Sequence, residues 1–438
     1  MIKIKSYNHL YECYLTNSNL KLAVWNATRG KTGKKKKVKQ KLYYRNNYDK
    51  LEEDLLRYAD SFKKYKHKEI QIYDGVRRKQ RTIIVPDMKE QIVQYMAINV
   101  LKPIFMKSMY AHSYGSIPGR GSYKGKQVIE KWLRKDPKGT RYFLKMDIRK
   151  YFESILHDIL KSKLAKIIHD EKFLNLLYEI IDTTDKGVPL GFYTSQWFAN
   201  FYLTELDHYI TEKLGARHYI RYMDDMVIFG SSKRELHKIR NLINDFIENN
   251  LGLKMKDNWQ VCRMYYENKE GKGIGRDLDF MEFRFFRDKT ILRKSIMFKM
   301  TRKAKRISKK LKEKHKITIY DARQMLSYLG WIKATDTYNT YREYIKPYIS
   351  FKRLKNVIRR HDKKKGGENS MWRTVENSNS LRPDELEINI DTVYVRKDFV
   401  LVEASENSCE HWKYQEKQFS KEAYDNYLQT IELNELLS

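Results

Sequence analysis

Two adjacent carboxylates, Asp224 and Asp225, have the clearest potential for chemistry in this sequence. Runs rich in Tyr, Ile, Val and Phe flank them, which predicts two strands joined by a tight turn at the acid pair. The two like charges repel each other, and a divalent cation such as Mg²⁺, which prefers oxygen ligands, would offset that repulsion. A solvated turn is the alternative, because Asp is common in turns, and the dipeptide alone favours it.

A third acid, Asp147, ends a predicted strand that begins at Tyr142. An unpaired buried charge is costly, so this carboxylate caps the following helix, pairs with Lys150 or binds a cation. Carboxylates from a strand and a neighbouring hairpin can hold two Mg²⁺ ions about 3.5–4 Å apart, an arrangement suited to phosphoryl transfer. The sequence therefore predicts Asp147, Asp224 and Asp225 as catalytic, metal-binding residues with Mg²⁺ as the cofactor.

A glycine-rich segment from Gly187 to Gly191 precedes a predicted long helix that ends near Gly215. Such a start leaves the first backbone N–H groups and the positive end of the helix dipole at an open surface. An acid-ended strand, this helix and the acid hairpin follow one another in the chain. Together they form a candidate site.

Cations collect at three places in the chain. Arg81 follows a basic turn in a predicted hairpin at 69–85, and the Arg guanidinium matches phosphate geometry. Arg120 lies in a loop at 114–121 that is rich in glycine. A solvated hairpin is the alternative for the Arg81 segment. Basic helices predicted over 291–360 form a candidate nucleic-acid cradle. The predicted contacts in the cradle are Lys294, Arg302, Lys305 and Arg306.

The charge of the chain points to a polyanionic partner. The net charge is +33 over 438 residues, far more than solubility requires. Residues 371–438 differ, because they hold 7 Lys/Arg and 14 Asp/Glu. A basic body with an acidic tail predicts two regions with different roles. The 33 Tyr add rings that could stack on bases, although most are expected in the core.

The three cysteines are far apart, at positions 13, 262 and 409, with no metal-binding spacing. An odd count favours a reducing compartment over a disulfide framework. No apolar run approaches the roughly 18 residues that a membrane span needs. The sequence therefore predicts a soluble, cytoplasmic protein without a membrane partner.

The ordered set of motifs resembles the reverse transcriptase family. The run Tyr222-Met-Asp-Asp225, preceded by Asp147 in Lys-Met-Asp-Ile-Arg-Lys-Tyr-Phe, is similar to that family's metal-binding motifs. The resemblance covers about 70–362. Its other parts are two fingers motifs at 81–86 and 113–121, a palm-helix motif at 187–200 and a primer-grip hairpin at 278–285.

The resemblance implies roles for individual residues. Asp147, Asp224 and Asp225 match the metal-binding carboxylates. Phe152 matches the ring that packs on the incoming sugar and rejects a 2′-hydroxyl, and Arg81 matches a fingers residue that contacts the triphosphate. The remaining predicted nucleotide-binding residues are Leu190, Gly191, Gln196 and Tyr222. The implied partners are an RNA template, a DNA or RNA primer and dNTPs, with a dedicated non-coding RNA or an accessory protein as further candidates.

The palm-helix motif departs from the common family pattern. Many members have Gln-Gly-x-x-x-Ser-Pro, whereas this chain has Leu190-Gly-Phe-Tyr-Thr-Ser-Gln196. The change resembles reverse transcriptases of diversity-generating retroelements, in which it is associated with error-prone copying of a template RNA. Related prophage and antiphage-defence enzymes vary at the same place. They copy a dedicated non-coding RNA or synthesise DNA without a template, and they remain an alternative, as does a non-catalytic nucleic-acid-binding protein.

The sequence therefore predicts an α+β right-hand polymerase that acts as an RNA-directed DNA polymerase. Its antiparallel palm sheet is expected to pack on helices, beside fingers and a helical thumb. The predicted regions are a basic N-terminal extension at 1–64, fingers and palm at 65–290, a basic helical thumb at 291–362, a linker at 363–370 and an acidic C-terminal module at 371–438.

Overall fold

A computed structural model describes residues 7–28, 43–47, 51, 67–74, 79–314, 316–364, 393–401 and 412–420. The chain divides into two compact units. One comprises Met1–Arg263 with Leu401–Lys413, and the other comprises Met264–Val400 with Tyr414–Ser438.

The first unit combines helices with a central antiparallel sheet. Its elements are α1 (Leu10–Tyr14), α2 (Asn17–Thr28), β1 (Lys68–Asp74), β2 (Lys79–Val85), α3 (Met88–Ser108), α4 (Ser122–Lys135), β3 (Tyr142–Asp147), α5 (Tyr151–Ser154), α6 (His157–Ala165), α7 (Glu171–Ile181), α8 (Tyr193–Tyr202), α9 (Thr204–His208), β4 (His218–Tyr222), β5 (Asp225–Gly230), α10 (Lys233–Leu251) and β6 (Gln260–Arg263).

The central sheet has the strand order β4-β5-β3-β6, and every pair is antiparallel. β4 and β5 are buried along nearly their whole length, which is typical of strands covered on both faces. Their aromatic and β-branched residues suit a packed, pleated surface. The acids lie where these apolar strands end.

Helix α3 runs through the core of the first unit. Asp87 and Glu90 form a capping box at its start, and Ile92, Leu101 and Phe105 are fully or almost fully buried along it. α2 packs against α3, and the Asn19 side-chain amide donates a hydrogen bond to the Met96 carbonyl. The described part of the predicted N-terminal extension therefore belongs to the same core.

Two predicted elements of the first unit have different outcomes. The hairpin expected at 69–85 is confirmed, because β1 and β2 pair over seven residues from Lys68↔Val85 to Asp74↔Lys79. The single long helix expected after Gly191 is wrong. α8 ends at Tyr202, α9 follows, and a π-helical turn at Tyr209–Lys213 completes the segment before Gly215, which has φ +63°. Local apolar spacing did not reveal these breaks.

The second unit contains short strands and four helices in its described part. They are β7 (Tyr266–Glu267), β8 (Gly273–Ile274), β9 (Leu278–Phe280), β10 (Phe283–Phe285), β11 (Thr290–Leu292), α11 (Lys294–Lys314), α12 (Ile319–Lys333), α13 (Tyr338–Tyr344) and α14 (Phe351–Lys364). Later in the chain, β12 (Val393–Leu401) and β13 (Trp412–Ser420) form a two-stranded sheet.

Strands β9–β11 pack with the helices of the second unit. The rings of Phe283 and Trp331 lie 5.4 Å apart, and Asp336 accepts a hydrogen bond of 2.8 Å from the Thr290 backbone N–H. These contacts explain why the division between the units comes at Arg263 and Met264, before the boundary expected at 290 and 291. The predicted functional regions themselves stay predictions.

Several predicted segments lie partly or wholly outside the described residues. The linker expected at 363–370 begins inside α14, and its remainder is not described. The predicted acidic module at 371–438 is described only at β12 and β13.

The predicted α+β class, with an antiparallel sheet packed on helices and a helical region after it, is confirmed. Within the part of the chain that the structure describes, no helix has the length and apolar character needed to cross a membrane.

Candidate active site

The backbone register of the sheet brings Asp147 and Asp225 together. Asp147 ends β3 directly opposite Asp225, the first residue of β5, and Asp225 in turn lies opposite Tyr222 of β4. Residues directly opposite one another in antiparallel strands share one face of a sheet. The two carboxylates and the Tyr222 ring therefore belong to the same face at the end of the sheet.

The turn of the β4–β5 hairpin lies one residue earlier than predicted. Its two residues are Met223 and Asp224, and Met223 has φ +55°, as the first position of a primed hairpin turn requires. The expectation that Asp224 and Asp225 form the turn together is therefore wrong. The shift puts Asp225 inside the ladder and leaves Asp224 at the tip, where its carbonyl accepts a 3.3 Å hydrogen bond from the Ile148 N–H.

Burial and mutual repulsion raise the pKa of both acids of the hairpin. Desolvation, followed by the charge of Asp147, raises the pKa of Asp224 to about 6. Desolvation also raises the pKa of Asp225 to about 7, with repulsion from Asp147 and Asp224 opposed by attraction to Lys145. The site therefore concentrates negative charge that a bound cation would stabilise.

Two lysines that the sequence analysis missed contact the carboxylates. The Lys256 ammonium donates a hydrogen bond to Asp147 Oδ2, and Lys145 Nζ lies 3.5 Å from Asp225 Oδ2. The sequence could have identified Lys145, because it lies two residues before Asp147 on β3 and therefore on the same face of the strand. Lys256 follows α10, far along the chain, and no local pattern connects it to β3.

The donor set fits a divalent metal ion. Asp147 Oδ1 and Asp225 Oδ1 are buried oxygens with no hydrogen-bond partner, and buried polar atoms are normally satisfied. Carboxylate oxygens are the ligands that Mg²⁺ prefers. Among the described residues, no three His, Cys, Asp or Glu side chains are already arranged as a ligand group.

A buried ion pair stabilises the β4–β5 hairpin that carries Asp224 and Asp225. Arg221 of β4 and Asp207 of α9 are fully buried and joined by two hydrogen bonds, Nε to Oδ1 at 2.8 Å and Nη2 to Oδ2 at 2.6 Å. Arg221 Nη1 also donates to the carbonyl oxygen of Met223 in the turn, at 3.0 Å. Removing one partner of such a pair costs about 3–5 kcal/mol. The pair therefore fixes the turn that carries Asp224.

The glycine-rich segment joins two candidate substrate elements. The Val188 N–H donates to the Phe152 carbonyl at 2.8 Å, and the Ile84 N–H of β2 donates to the Leu190 carbonyl at 2.8 Å. Gly191 has φ +115°, and a Cβ there would lie 2.2 Å from the Ile84 carbonyl oxygen. Only glycine allows this approach, so the segment connects β2 to α5, the short helix that follows β3.

The predicted nucleotide-binding residues take different positions. Phe152 is half-buried beside the Tyr151 ring, at 5.7 Å between centroids. Arg81 is exposed on β2, opposite Ile72. Gln196 is exposed on the first turns of α8, whereas the neighbouring Ser195 is buried. The segment Gly187–Gly191 connects the surroundings of Phe152 with β2, and the nucleotide-binding roles stay predictions.

The predicted nucleic-acid contacts also differ in their surroundings. Arg120 Nη1 donates to the carbonyls of Tyr110 and Ser113, at 2.6 and 3.1 Å, so part of its guanidinium stabilises its own loop. Lys294, Arg302, Lys305 and Arg306 are all exposed on α11 of the second unit. Lys303, between them in sequence, is buried against Asp321 at 2.7 Å and is structural.

Comparison with known proteins supports the resemblance. Residues 65–276 match the family model of reverse transcriptases (RNA-dependent DNA polymerases). The retron Ec73 reverse transcriptase of Escherichia coli is 28% identical over 167 residues, which cover 35% of this chain and 50% of that protein. Protein YkfC of Escherichia coli K12 is 24% identical over 194 residues, which cover 42% of this chain and 46% of that protein.

A more distant likeness is found among solved structures. Telomerase from Candida albicans, in complex with a fragment of telomeric RNA, aligns at a TM-score of 0.39 and 13% identity, covering 59% of this chain and 54% of that one.

The matched region contains each of the three acids and the glycine-rich segment. It also contains β1 to β6, the strands that position them. The chain spans about half the length of the first curated relatives that it matches. Residues 65–276 of the chain are therefore similar to the reverse transcriptase family.

Proposed function

We propose that this protein is an RNA-directed DNA polymerase that extends a primer 3′-hydroxyl with dNTPs on an RNA template. The observation that carries the proposal is the register that sets Asp147 opposite Asp225, with Asp224 next to it in the hairpin turn. The family match at 65–276 and the excess of positive charge over the whole chain support the choice of nucleic acid as substrate.

In this proposal Asp147, Asp224 and Asp225 hold Mg²⁺. When bound, Mg²⁺ supplies charge stabilisation for phosphoryl transfer and lowers the pKa of a coordinated hydroxyl. The buried, unpartnered Oδ1 atoms of Asp147 and Asp225 are the oxygens best suited to that role.

The chain's own residues would position the substrates. Phe152 would pack on the sugar of the incoming nucleotide, and Arg81 on β2 would contact its phosphates. The Val188–Phe152 and Ile84–Leu190 backbone hydrogen bonds support this arrangement, because they fix both elements to one segment. Cations exposed on α11 would bind the phosphate backbone, which dominates nucleic-acid affinity.

The double substitution of Asp224→Asn and Asp225→Asn tests the metal assignment. We expect loss of dNTP incorporation on an RNA template by at least about a thousandfold, while RNA affinity stays within a few-fold, because the metal ligands are lost and the basic surface is kept. Primer extension and fluorescence anisotropy measure the two quantities. Full incorporation by the variant would refute the assignment, and absent incorporation by the wild type with intact RNA binding would favour a non-catalytic binding protein.

We further propose that the biological role is error-prone copying in a diversity-generating retroelement. The support is Leu190 and Gln196 at positions where many family members carry Gln and Pro. Leu190 offers no side-chain hydrogen bond to a nascent base pair, and its backbone carbonyl is already engaged with Ile84. The alternative is an antiphage polymerase with a dedicated non-coding RNA. The retron relative supports a retroelement origin in general.

A substitution of Leu190→Gln tests the fidelity proposal. We expect the misincorporation frequency on an RNA template to fall severalfold, because an amide restores a hydrogen-bonding group at a site that now has none. Sequencing of the complementary DNA measures the frequency. Leu190→Met is the matched control and should leave it unchanged. An equal error rate in all three proteins would contradict the role assigned to Leu190.

A further inference from the structure

In two carboxylates of the candidate site, one oxygen lies near a lysine and the other has no hydrogen-bond partner. Asp147 Oδ2 accepts a hydrogen bond from Lys256, and Asp225 Oδ2 lies 3.5 Å from Lys145 Nζ. In both residues the other oxygen, Oδ1, is buried and has no partner. Each carboxylate therefore holds an internal cation on one oxygen and leaves one oxygen without a bond.

Lys256 is brought to Asp147 by the backbone. The Lys256 N–H donates to the Asp147 carbonyl at 2.8 Å, and the Arg149 N–H donates to the Lys254 carbonyl at 2.8 Å. Met255, between the two lysines, forms an isolated antiparallel bridge with Ile148. This short ladder fixes the start of the Lys256 side chain beside the acid, so the contact does not depend on a freely moving surface chain.

The ammonium of Lys256 can still leave the carboxylate. Its side chain is 34% exposed, and that of Asp147 is 27% exposed, so water can solvate both charges after separation. Because the pair is only partly buried, water screens the attraction between its two charges, and the contact is weaker than that of a fully buried pair. The pair is therefore held in place but is easily exchanged for another cation.

We propose that Lys256 competes with the divalent metal for Asp147 and thereby keeps metal affinity low in the substrate-free protein. The inference rests on the proposed function, which assigns Asp147 as a metal ligand. The ammonium occupies an oxygen that a chelated ion would use, and its charge repels the ion. Lys145 likewise competes with the metal for Asp225. Metal occupancy then depends on the phosphates that an incoming nucleotide adds to the ligand set.

The test is Mn²⁺ binding to the full chain without nucleotide or nucleic acid, measured by the electron paramagnetic resonance signal of free Mn²⁺. Lys256→Met should lower the Kd for Mn²⁺ by about tenfold, because a competing positive charge a few ångströms from the ion is removed. Lys254→Met is the matched control. It removes an exposed lysine two residues away whose side chain makes no contact with the acids, and it should leave the Kd unchanged.

A double-substitution cycle locates the effect. In an Asp147→Asn background, Lys256→Met should change the Kd by clearly less than tenfold, because the shared ligand is absent and only the charge repulsion remains. Circular dichroism checks that each variant is folded, and Lys256→Gln provides a second neutral side chain should the Met variant unfold.

Two results would overturn the inference. An unchanged Kd in both Lys256 variants would show that the lysine does not compete, and a weaker Kd would show that it positions Asp147 for the metal instead. Failure of the proposed function looks different. In that case the wild type and the double variant Asp224→Asn, Asp225→Asn would bind Mn²⁺ with the same Kd. Such a result would refute the metal site itself.

Discussion

Asp225 combines a position suited to metal binding with a cost in stability. Its pKa of about 7 lies above the ordinary value near 4, because burial and neighbouring acids disfavour the charge. The folded protein therefore resists ionisation more than the unfolded chain does. The penalty is absent below about pH 4, grows between about pH 4 and pH 7, and is constant at higher pH.

Asp225→Asn should therefore stabilise the metal-free protein at high pH. Each pKa unit corresponds to about 1.4 kcal/mol, and loss of the contact with Lys145 offsets part of the gain, so we expect about 2 kcal/mol at pH 8 and little change at pH 4. Chemical unfolding in the presence of a chelator measures both values. Asp257→Asn, an exposed neighbour of Lys256, serves as the control. A variant less stable than the wild type at pH 8 would contradict the cause given for the raised pKa.

At the scale of elements, one glycine-rich segment sets the distance between β2 and α5, the short helix that follows β3. Gly187 and Gly191 both have positive φ, and a Cβ at either would lie within 2.5 Å of a backbone carbonyl oxygen. The position of the β1–β2 hairpin therefore depends on residues about a hundred positions later in the chain. The glycines in the sequence predict a turn of the backbone at this segment. Only the structure shows which residues pack against them.

Gly191→Ala should displace β2 and weaken nucleotide binding. The backbone strain and the clash with Ile84 together should cost roughly 3 kcal/mol, and the KM for dNTP should rise several-fold because Arg81 moves with β2. Gly215→Ala separates the two effects. Gly215 also has positive φ, at +63°, but a Cβ there would meet nothing within 4 Å, so only about 1 kcal/mol is expected. Equal losses in the two variants would argue against a role for close packing on β2.

At the scale of the whole molecule, the net charge of +33 includes cations that are exposed on particular helices. Helix α11 exposes Arg302, Lys305 and Arg306. Lys303 is instead buried in the second unit, where it forms an ion pair with Asp321. Helix α10 of the first unit exposes a similar set, Lys233, Arg234 and Lys238. Each set contributes three exposed positive charges, so the two sets allow a matched comparison.

Replacing Arg302, Lys305 and Arg306 with Gln should weaken binding to an RNA–DNA hybrid and flatten its salt dependence. Three lost phosphate contacts, at about 0.9 each, should reduce the slope of log Kd against log salt by about 2.7. Replacing Lys233, Arg234 and Lys238 with Gln should leave the slope nearly unchanged. Anisotropy titrations at several salt concentrations give both slopes. The same slope change in both triple variants would mean that total charge, rather than α11, governs binding.

The sequence by itself determined which residue types could perform the chemistry. An apolar run that ends at Asp147 and another that follows Asp225 specify strands, since β-branched and aromatic residues act locally, and the motifs around them carry the family resemblance. The hairpin at 69–85 and the helix after Asp87 were predictable for the same reason, because caps and turn residues act on their immediate neighbours.

Only the tertiary structure decided the environment of those acids. The one-residue position of the turn, the Arg221–Asp207 pair and the contact of Lys256 with Asp147 depend on which strand lies beside which. Lys256 and Asp147 are 109 residues apart, and no local periodicity specifies such a pairing. The sequence therefore supplied the carboxylates. Long-range packing supplied the buried surroundings that raise the pKa of two of them and the lysines that balance their charge.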